Sequence, residues 1–287
     1  MSVRTGFRVS VVLAAGAATV LVTLAADSCA HAQGRLDARY TASLAGIPIG
    51  RGAWVIDIGR DRYLAAASGM TAGIMRLFSS GEGTGASRGS VVNGQLVPAT
   101  YAITIETSKR KSEVRIGLKR GTVKDLLVVP PVTPDSGRVP VKAAHRRGVT
   151  DPMTASLVRV PGSGDPLVPT SCQRTASIFD GRMRYDLHLA YKRLDRVKAV
   201  KGYEGPALVC ALFFHPIAGH RPDRAVIKYL EDMRDIETWL VPIAGTSILV
   251  PFRVTIPTPL GLGMLEATQF VTTPHRARAA ISGPMAR

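Results

Sequence analysis

The sequence lacks the compact motifs that identify several common enzyme classes. Its 287 residues contain no H-E-x-x-H zinc-protease motif, no phosphate-binding loop and no paired-carboxylate motif. They also contain no internal repeat, no heptad array and no second long apolar span after the N-terminal one. No motif therefore supports an enzyme or a cofactor, and the expectation is a non-enzymatic protein that binds a ligand or takes part in an assembly.

The first 32 residues have the three parts of a secretory signal peptide. Arg4 and Arg8 form a short basic region without acids, and an apolar stretch follows from Val9 to Ala26. Ala30-His31-Ala32 then supplies small residues at the two positions that a signal peptidase reads. The sequence therefore predicts cleavage after Ala32, a mature chain beginning at Gln33, and a periplasmic location without a transmembrane span after cleavage.

Two other fates of this segment are open at the sequence level. An uncleaved anchor needs about 20 strongly apolar residues, whereas this stretch is rich in alanine and glycine. Cys29 also suggests a lipoprotein, but the acidic Asp27 beside the cleavage position argues against lipidation.

Acidic residues are scarce, with 21 Asp and Glu against 37 Lys and Arg and a formal net charge of +16. Removing residues 1–32 changes this excess little, because that segment contains only two arginines and one aspartate. In a cytosolic protein such an excess suggests nucleic acid. After export it points instead to anionic envelope components, either lipid headgroups or acidic glycans. The alternative is an ordinary solvated basic surface.

Cysteine is also scarce, and only Cys172 and Cys210 remain after the predicted cleavage. A single pair in an oxidising compartment predicts a disulfide, with Cα atoms within about 7 Å of each other. The alternative is a zinc site that adds His215 and His220. The five-residue gaps from Cys210 to these histidines fit neither a Cys-x-x-Cys knuckle nor a compact histidine pair, so the disulfide is favoured.

The dominant pattern is the alternation of apolar and polar residues with a period of two, which is typical of half-buried strands. The clearest run extends from Met183 to Tyr191, and Leu208–Phe213 is apolar throughout, as in a strand covered on both faces. Similar alternating runs occur at residues 54–58, 101–105, 114–118 and 250–256, with glycine-containing turns between them.

The pattern predicts an all-β fold, an antiparallel curved sheet or a barrel or half-barrel, with one or two short helices. We expect a single β-rich domain over residues 33–273 and a basic disordered tail over 274–287. Asp151 followed by Pro152 is a start signal for one short helix, and residues 225–232 predict a second.

Gly85-Ala86-Ser87-Arg88-Gly89 matches the G-x-S-x-G string of serine hydrolases. That motif needs a strand before the serine and a helix after it, whereas a glycine-rich polar stretch precedes Ser87 and a strand and turn follow. The interpretation is a glycine-rich connection in which Ser87 is dispensable, so that Ser87→Ala changes neither stability nor binding. An envelope hydrolase that uses Ser87 is the alternative.

The strand around Tyr185 offers the best candidate ligand contacts. Its alternation predicts one face with Arg182, Arg184, Asp186 and His188, where arginine suits a carboxylate or phosphate. The opposite face carries the apolar stripe Tyr185, Leu187 and Leu189. Either face lines a ligand cavity, or the charged face is solvated and the stripe is packed core.

Five blocks in order resemble a known family: Ala45–Gly50, Asn93–Pro98, Asp151–Thr154, Cys172–Arg182 and Val250–Arg253. The family is an exported proteobacterial one, known as a domain of unknown function of the 3108 type, and the resemblance runs from about Tyr40 to Phe270. It implies a periplasmic β-rich domain and supplies no catalytic residues. It also suggests an architectural analogy with half-barrel lipoprotein carriers, whose concave apolar face holds acyl chains; an analogy of fold is not evidence of function.

The sequence thus favours a non-enzymatic envelope protein that binds an apolar or amphiphilic anionic ligand on a curved sheet. The alternatives are the hydrolase and a structural partner of an envelope assembly. A deep apolar concavity would favour binding, and a serine or histidine beside a base in a cleft would favour hydrolysis.

Overall fold

The structure is a computed structural model that describes residues 33–73, 80–133, 137–162 and 164–275. The predicted signal peptide, residues 1–32, lies outside the described residues, as does the predicted tail beyond His275. Pro274 itself ends the last strand. Within the described ranges, no helix is both long enough and apolar enough to cross a bilayer.

The N-terminal half is an antiparallel meander in which each strand pairs with the next. Its strands are β1 (Gly34–Leu44), β2 (Ile47–Ile58), β3 (Arg62–Thr71), β4 (Gly81–Val92), β5 (Gln95–Thr107), β6 (Arg110–Lys119) and β7 (Thr122–Val129). Tight turns join several of these strands: Asn93-Gly94 and Arg120-Gly121 both have two residues with positive φ, the geometry that matches the twist of a hairpin.

The C-terminal half supplies the remaining strands and two helices. These are α1 (Pro152–Ala155), β8 (Val158–Arg159), β9 (Arg174–Phe179), β10 (Arg184–Lys198), β11 (Lys201–Gly202), β12 (Glu204–Ala218), α2 (Ala225–Asp232), β13 (Glu237–Pro242), β14 (Ile248–Thr258) and β15 (Gly261–Pro274). Strands β8 and β11 are two-residue additions to β14 and β15.

One sheet runs through the whole domain because the first and last strands pair with each other. Its order is β7-β6-β5-β4-β3-β2-β1-β15-β14-β13-β12-β10-β9, so β7 and β9 are the two edges and the sheet is not closed. The predicted all-β class, the antiparallel pairing and both short helices are confirmed. Asp151 caps α1, because its side chain accepts a hydrogen bond from the Thr154 backbone N–H.

The interpretation of residues 79–90 as a glycine-rich connection is wrong, because Gly81–Val92 forms β4. The inward positions of this strand carry mostly glycine, which removes the apolar alternation that marks a strand in a sequence. The space at Gly89 is small, because a Cβ atom on this residue would stand 2.0 Å from the Val97 carbonyl oxygen. A β-bulge between Arg88 and Gly89 accompanies this close approach.

The core covers both faces of the central C-terminal strands. Residues 207–211 of β12 are each at most 5% exposed, as the continuous apolar run predicts. One face packs into the largest cluster, which includes Trp239, Phe252 and Phe270. The other face packs against the segment that contains β8 and the 3-10 helix Pro169–Cys172.

The two edges of the open sheet meet along a seam held by Val149 and Thr150. The Val149 backbone N–H donates to the Gly121 carbonyl in the β6–β7 turn, at 2.9 Å. The Thr150 N–H donates to the Ser177 carbonyl of β9 at 2.9 Å, and the Thr150 carbonyl accepts from the Phe179 N–H at 3.0 Å. The side chain of Phe179 then packs into a cluster with residues of β5 and β6. The fold is therefore barrel-like, although no strand ladder closes it.

Candidate functional site

Ser87 lies in a buried cluster of polar side chains rather than in an exposed turn. It is fully buried, and its hydroxyl donates to Asp151 Oδ2 at 3.0 Å. Thr154 Oγ1 donates to the same oxygen at 2.6 Å, and the Tyr63 hydroxyl lies 2.6 Å from Thr154 Oγ1. The carboxylate of Asp151 is the shared acceptor at the centre of the cluster.

Burial shifts the pKa values of the titratable groups in this cluster. It raises the pKa of Asp151 above its usual range, although the bonds from Thr154 and Ser87 act in the opposite direction. It also raises the pKa of Tyr63 to about 12. Ser87 is closed to solvent and bonded to a carboxylate, so its hydroxyl is not exposed to a substrate in this structure. The prediction that Ser87 is dispensable stays untested, but the buried hydrogen bond from its hydroxyl to Asp151 now leads us to expect that Ser87→Ala lowers stability.

The predicted disulfide is confirmed. Cys172 and Cys210 are bonded with their Cα atoms 5.7 Å apart, inside the predicted limit. Both residues are fully buried in the cluster on the face of β12 that packs against β8 and the 3-10 helix Pro169–Cys172. The bond consumes both thiols, so they do not serve as zinc ligands, and no group of three or more candidate metal ligands occurs among the described residues.

The predicted charged face is split by the start of β10. Arg182 precedes the strand in a turn, where the Asp180 side chain accepts from the Arg182 and Met183 backbone N–H groups. Its predicted place on one strand face with Arg184 is therefore wrong. Arg184 lies in the strand, and its guanidinium pairs with Asp186 at 2.8 Å with only 13% of its side chain exposed.

The apolar stripe of β10 lies mostly within packed surroundings. Tyr185 stacks at an angle on Phe214, with ring centroids 5.4 Å apart, and Leu187 is half-buried. Leu189 is 8% exposed and packs in the same cluster as the disulfide. The structure thus places the five predicted ligand residues of the Arg182–Leu189 segment in different surroundings. Of these five, Arg182 borders a large cavity.

That cavity lies on one side of the seam and encloses about 530 Å³. We call it the arginine pocket, because Arg138, Arg146 and Arg182 line it together with apolar side chains. The apolar side chains are Leu126, Val128, Val132, Val139, Val141 and Phe179. None of the described residues that line it is a carboxylate. The combination of apolar walls with three guanidinium groups suits an anionic amphiphile.

Each of the three arginines is held in place by its neighbours. Arg182 Nη2 donates to Ser112 Oγ at 3.3 Å and to the Val129 carbonyl at 3.2 Å, which ties the turn before β10 to β6 and β7. The Arg146 guanidinium stands over the Phe179 ring, 5.9 Å from its centroid. Arg138 Nη1 donates to the Gly219 carbonyl.

Arg138 and Arg146 each keep one unsatisfied donor. In the described part of the chain, the Nε atoms of both residues are buried without a hydrogen-bond partner. A buried donor without a partner costs about 1–3 kcal/mol, so an acceptor that reached either Nε atom would recover that energy. Neither residue could be selected from the sequence, because both lie outside strands and no periodic pattern links them to Arg182.

Comparison with known proteins gives a family match and a solved structure with partial similarity. No curated protein matches the sequence. A solved structure, a beta-barrel-like protein of domain of unknown function DUF1849 from Brucella abortus, is similar at 8% identity with a TM-score of 0.48. The match covers 85% of this chain and 98% of that one. The family described as protein of unknown function (DUF3108) matches residues 39–268. The chain therefore belongs to the DUF3108 family, as the resemblance in its sequence implies.

Proposed function

We propose that this protein is a non-enzymatic periplasmic protein that binds an anionic amphiphile in the arginine pocket. The observation that carries the proposal is the pair of buried, unpartnered Nε donors of Arg138 and Arg146 beside apolar walls. A carboxylate or phosphate accepts from guanidinium donors, and an apolar tail fits against the valine and leucine side chains.

The electrostatics of the pocket support an anion rather than a neutral ligand. Arg138, Arg146 and Arg182 line the space, and Asp180, two residues before Arg182, is engaged by two backbone N–H groups. Burial also raises the pKa of Asp180, which favours its neutral form. Among the described lining residues, no carboxylate offsets the positive charge of the pocket.

A binding role also agrees with the surroundings of Ser87. The hydrolase alternative requires a serine that a substrate can reach and a base that activates it. Ser87 is fully buried, and its hydroxyl is engaged by Asp151 and Thr154. No observation in the described structure favours the hydrolase.

The binding test uses three probes with the same tail: dodecanoate, dodecyl phosphate and the neutral dodecanol. We expect the two anions to bind and dodecanol to bind at least about tenfold more weakly, since charged hydrogen bonds contribute about 1.5–3 kcal/mol. Arg146→Ala should weaken binding of the anions by a similar factor in isothermal titration calorimetry.

Arg147→Ala is the matched control, because Arg147 is the adjacent, exposed arginine and does not line the pocket. It should bind the anions like the native protein. Equal affinity for dodecanol and dodecanoate, or an Arg146→Ala variant that folds and binds normally, would contradict the proposal.

The periplasmic location has its own test. N-terminal sequencing of the protein from a periplasmic extract should give a chain that starts at Gln33, because Ala30-His31-Ala32 supplies the cleavage site. A lipid-modified chain starting at Cys29 would instead make the protein membrane-anchored.

A further inference from the structure

A second cavity of about 840 Å³ lies on the other side of Val149 and Thr150 from the arginine pocket. It is bounded by the β4–β5 turn, the β6–β7 turn, the link from α1 to β8, and β9. Strand β9 is an edge of the sheet, and on its open side the described residues pair it with Thr150 rather than with a full strand. We call this space the polar cavity.

The polar cavity is also basic, but its arginines are different residues from those of the arginine pocket. Arg120, Arg159 and Arg174 line it, and no carboxylate lies among its described lining residues. Arg159 is oriented by a bond from its Nη2 to the Asn93 carbonyl at 3.2 Å. Burial lowers the pKa of Arg174, which shows that its charge is partly desolvated, and the described residues form no ion pair with it.

The remaining polar lining consists of hydroxyl and amide groups. Thr150, Thr170 and Gln173 border the space. Thr150 Oγ1 and Arg159 Nε are buried, and neither has a hydrogen-bond partner within the described ranges. Two unsatisfied groups from different elements, Thr150 beside the seam and Arg159 in β8, therefore border one cavity. Such groups are paired in most folded proteins, so these two side chains have hydrogen-bonding capacity that the described residues leave unused.

We propose that the polar cavity is a second binding site, which takes an acidic saccharide. The arginines match its carboxylate or phosphate, and the threonine and glutamine side chains match its hydroxyl groups, each of which both donates and accepts. Its volume exceeds that of the arginine pocket, and it lacks the aromatic side chain that the arginine pocket has in Phe179. The two cavities thus suit ligands of different chemistry.

The site is tested with digalacturonate, glucose 6-phosphate, the neutral sugar maltose and inorganic phosphate, by calorimetry at fixed ionic strength. We expect at least one acidic sugar to bind about tenfold or more tightly than maltose and than inorganic phosphate. The first two probes distinguish a carboxylated from a phosphorylated ligand. Binding of phosphate as tight as that of both sugars, or binding of neither sugar, would overturn the proposal.

Variants then locate the site. Arg174→Gln should weaken binding of the acidic sugar about tenfold and leave dodecyl phosphate binding unchanged, which separates this site from the arginine pocket. Arg196→Gln, which removes an exposed arginine of β10 outside the cavity, should bind both probes normally. An unchanged sugar affinity in a folded Arg174→Gln variant would contradict the site.

Thr150→Val gives a second readout, because it keeps the shape of the side chain and removes only the unpartnered hydroxyl. The expected result is several-fold weaker sugar binding without a lower melting temperature. Sugar binding equal to that of the native protein would remove Thr150 from the site.

Discussion

Asp151→Ala is expected to lower the free energy of unfolding by about 3–5 kcal/mol, one of the two largest effects that we predict for this protein. The carboxylate caps α1, and loss of a helix cap costs about 0.5–2 kcal/mol. It also accepts from the hydroxyls of Ser87 and Thr154, both of which are buried. Each of these two lost hydrogen bonds adds about 1–2 kcal/mol, since the two hydroxyls can still bond to each other. Urea unfolding followed by circular dichroism measures the difference.

Two variants calibrate that result. Ser87→Ala removes one hydroxyl and one bond to Asp151, so its loss should be about 1–2 kcal/mol. Asp61→Ala removes an exposed carboxylate from the β2–β3 turn, and its stability should stay within about 0.5 kcal/mol of the native value. A loss for Asp151→Ala as small as that of Asp61→Ala would contradict the buried cluster.

The raised pKa of Asp151 predicts how the stability difference between the native protein and Asp151→Ala changes with pH. The folded state holds the carboxyl proton more tightly than the unfolded state, so this group stabilises the fold most at pH values below the ordinary carboxyl pKa. Its contribution decreases as the pH rises through that range towards the folded-state pKa. The stability gap between native protein and Asp151→Ala should therefore narrow with rising pH, and a gap that widens would contradict the assignment.

Reduction of the disulfide is expected to lower the free energy of unfolding by about 3–4 kcal/mol, the loop-closure value for a bridge of this span. Cys172 and Cys210 are 38 residues apart. The bond joins the 3-10 helix before β9 to the middle of β12, and it lies in a fully buried cluster. Urea unfolding with and without dithiothreitol measures the effect.

The control for the disulfide is the double variant Cys172→Ala/Cys210→Ala. Its stability should be close to that of the reduced native protein and should not respond to dithiothreitol. A native protein whose unfolding midpoint is the same with and without reductant would show that the bond does not stabilise the fold.

The fold could be predicted from the sequence wherever apolar residues mark one face of a strand. The alternation in β2, β5, β6, β10 and β14 is of this kind. The Asn93-Gly94 pair likewise marks the hairpin turn between β4 and β5. Strand β4 escaped prediction because most of its inward positions carry glycine. A sequence pattern records side chains, and glycine has none to record.

The candidate sites were much less predictable than the fold. Arg182 could be selected from its place in an ordered charged run, but Arg138 and Arg146 join it only because the seam brings the β7 and β9 edges together. The same holds for Arg120 and Arg174 in the polar cavity. Their proximity depends on the curvature of a fifteen-stranded sheet, which no local spacing encodes.

The pairing of β1 with β15 has a consequence for how the chain acquires its structure. This ladder lies in the middle of the sheet, yet it joins the first strand of the domain to the last, and the His275 N–H donates to the Gln33 carbonyl at 3.1 Å. The two halves of the sheet are therefore joined along this ladder only after synthesis reaches the final strand. Such long-range pairing folds slowly, so the newly made chain stays incompletely folded while it is translated.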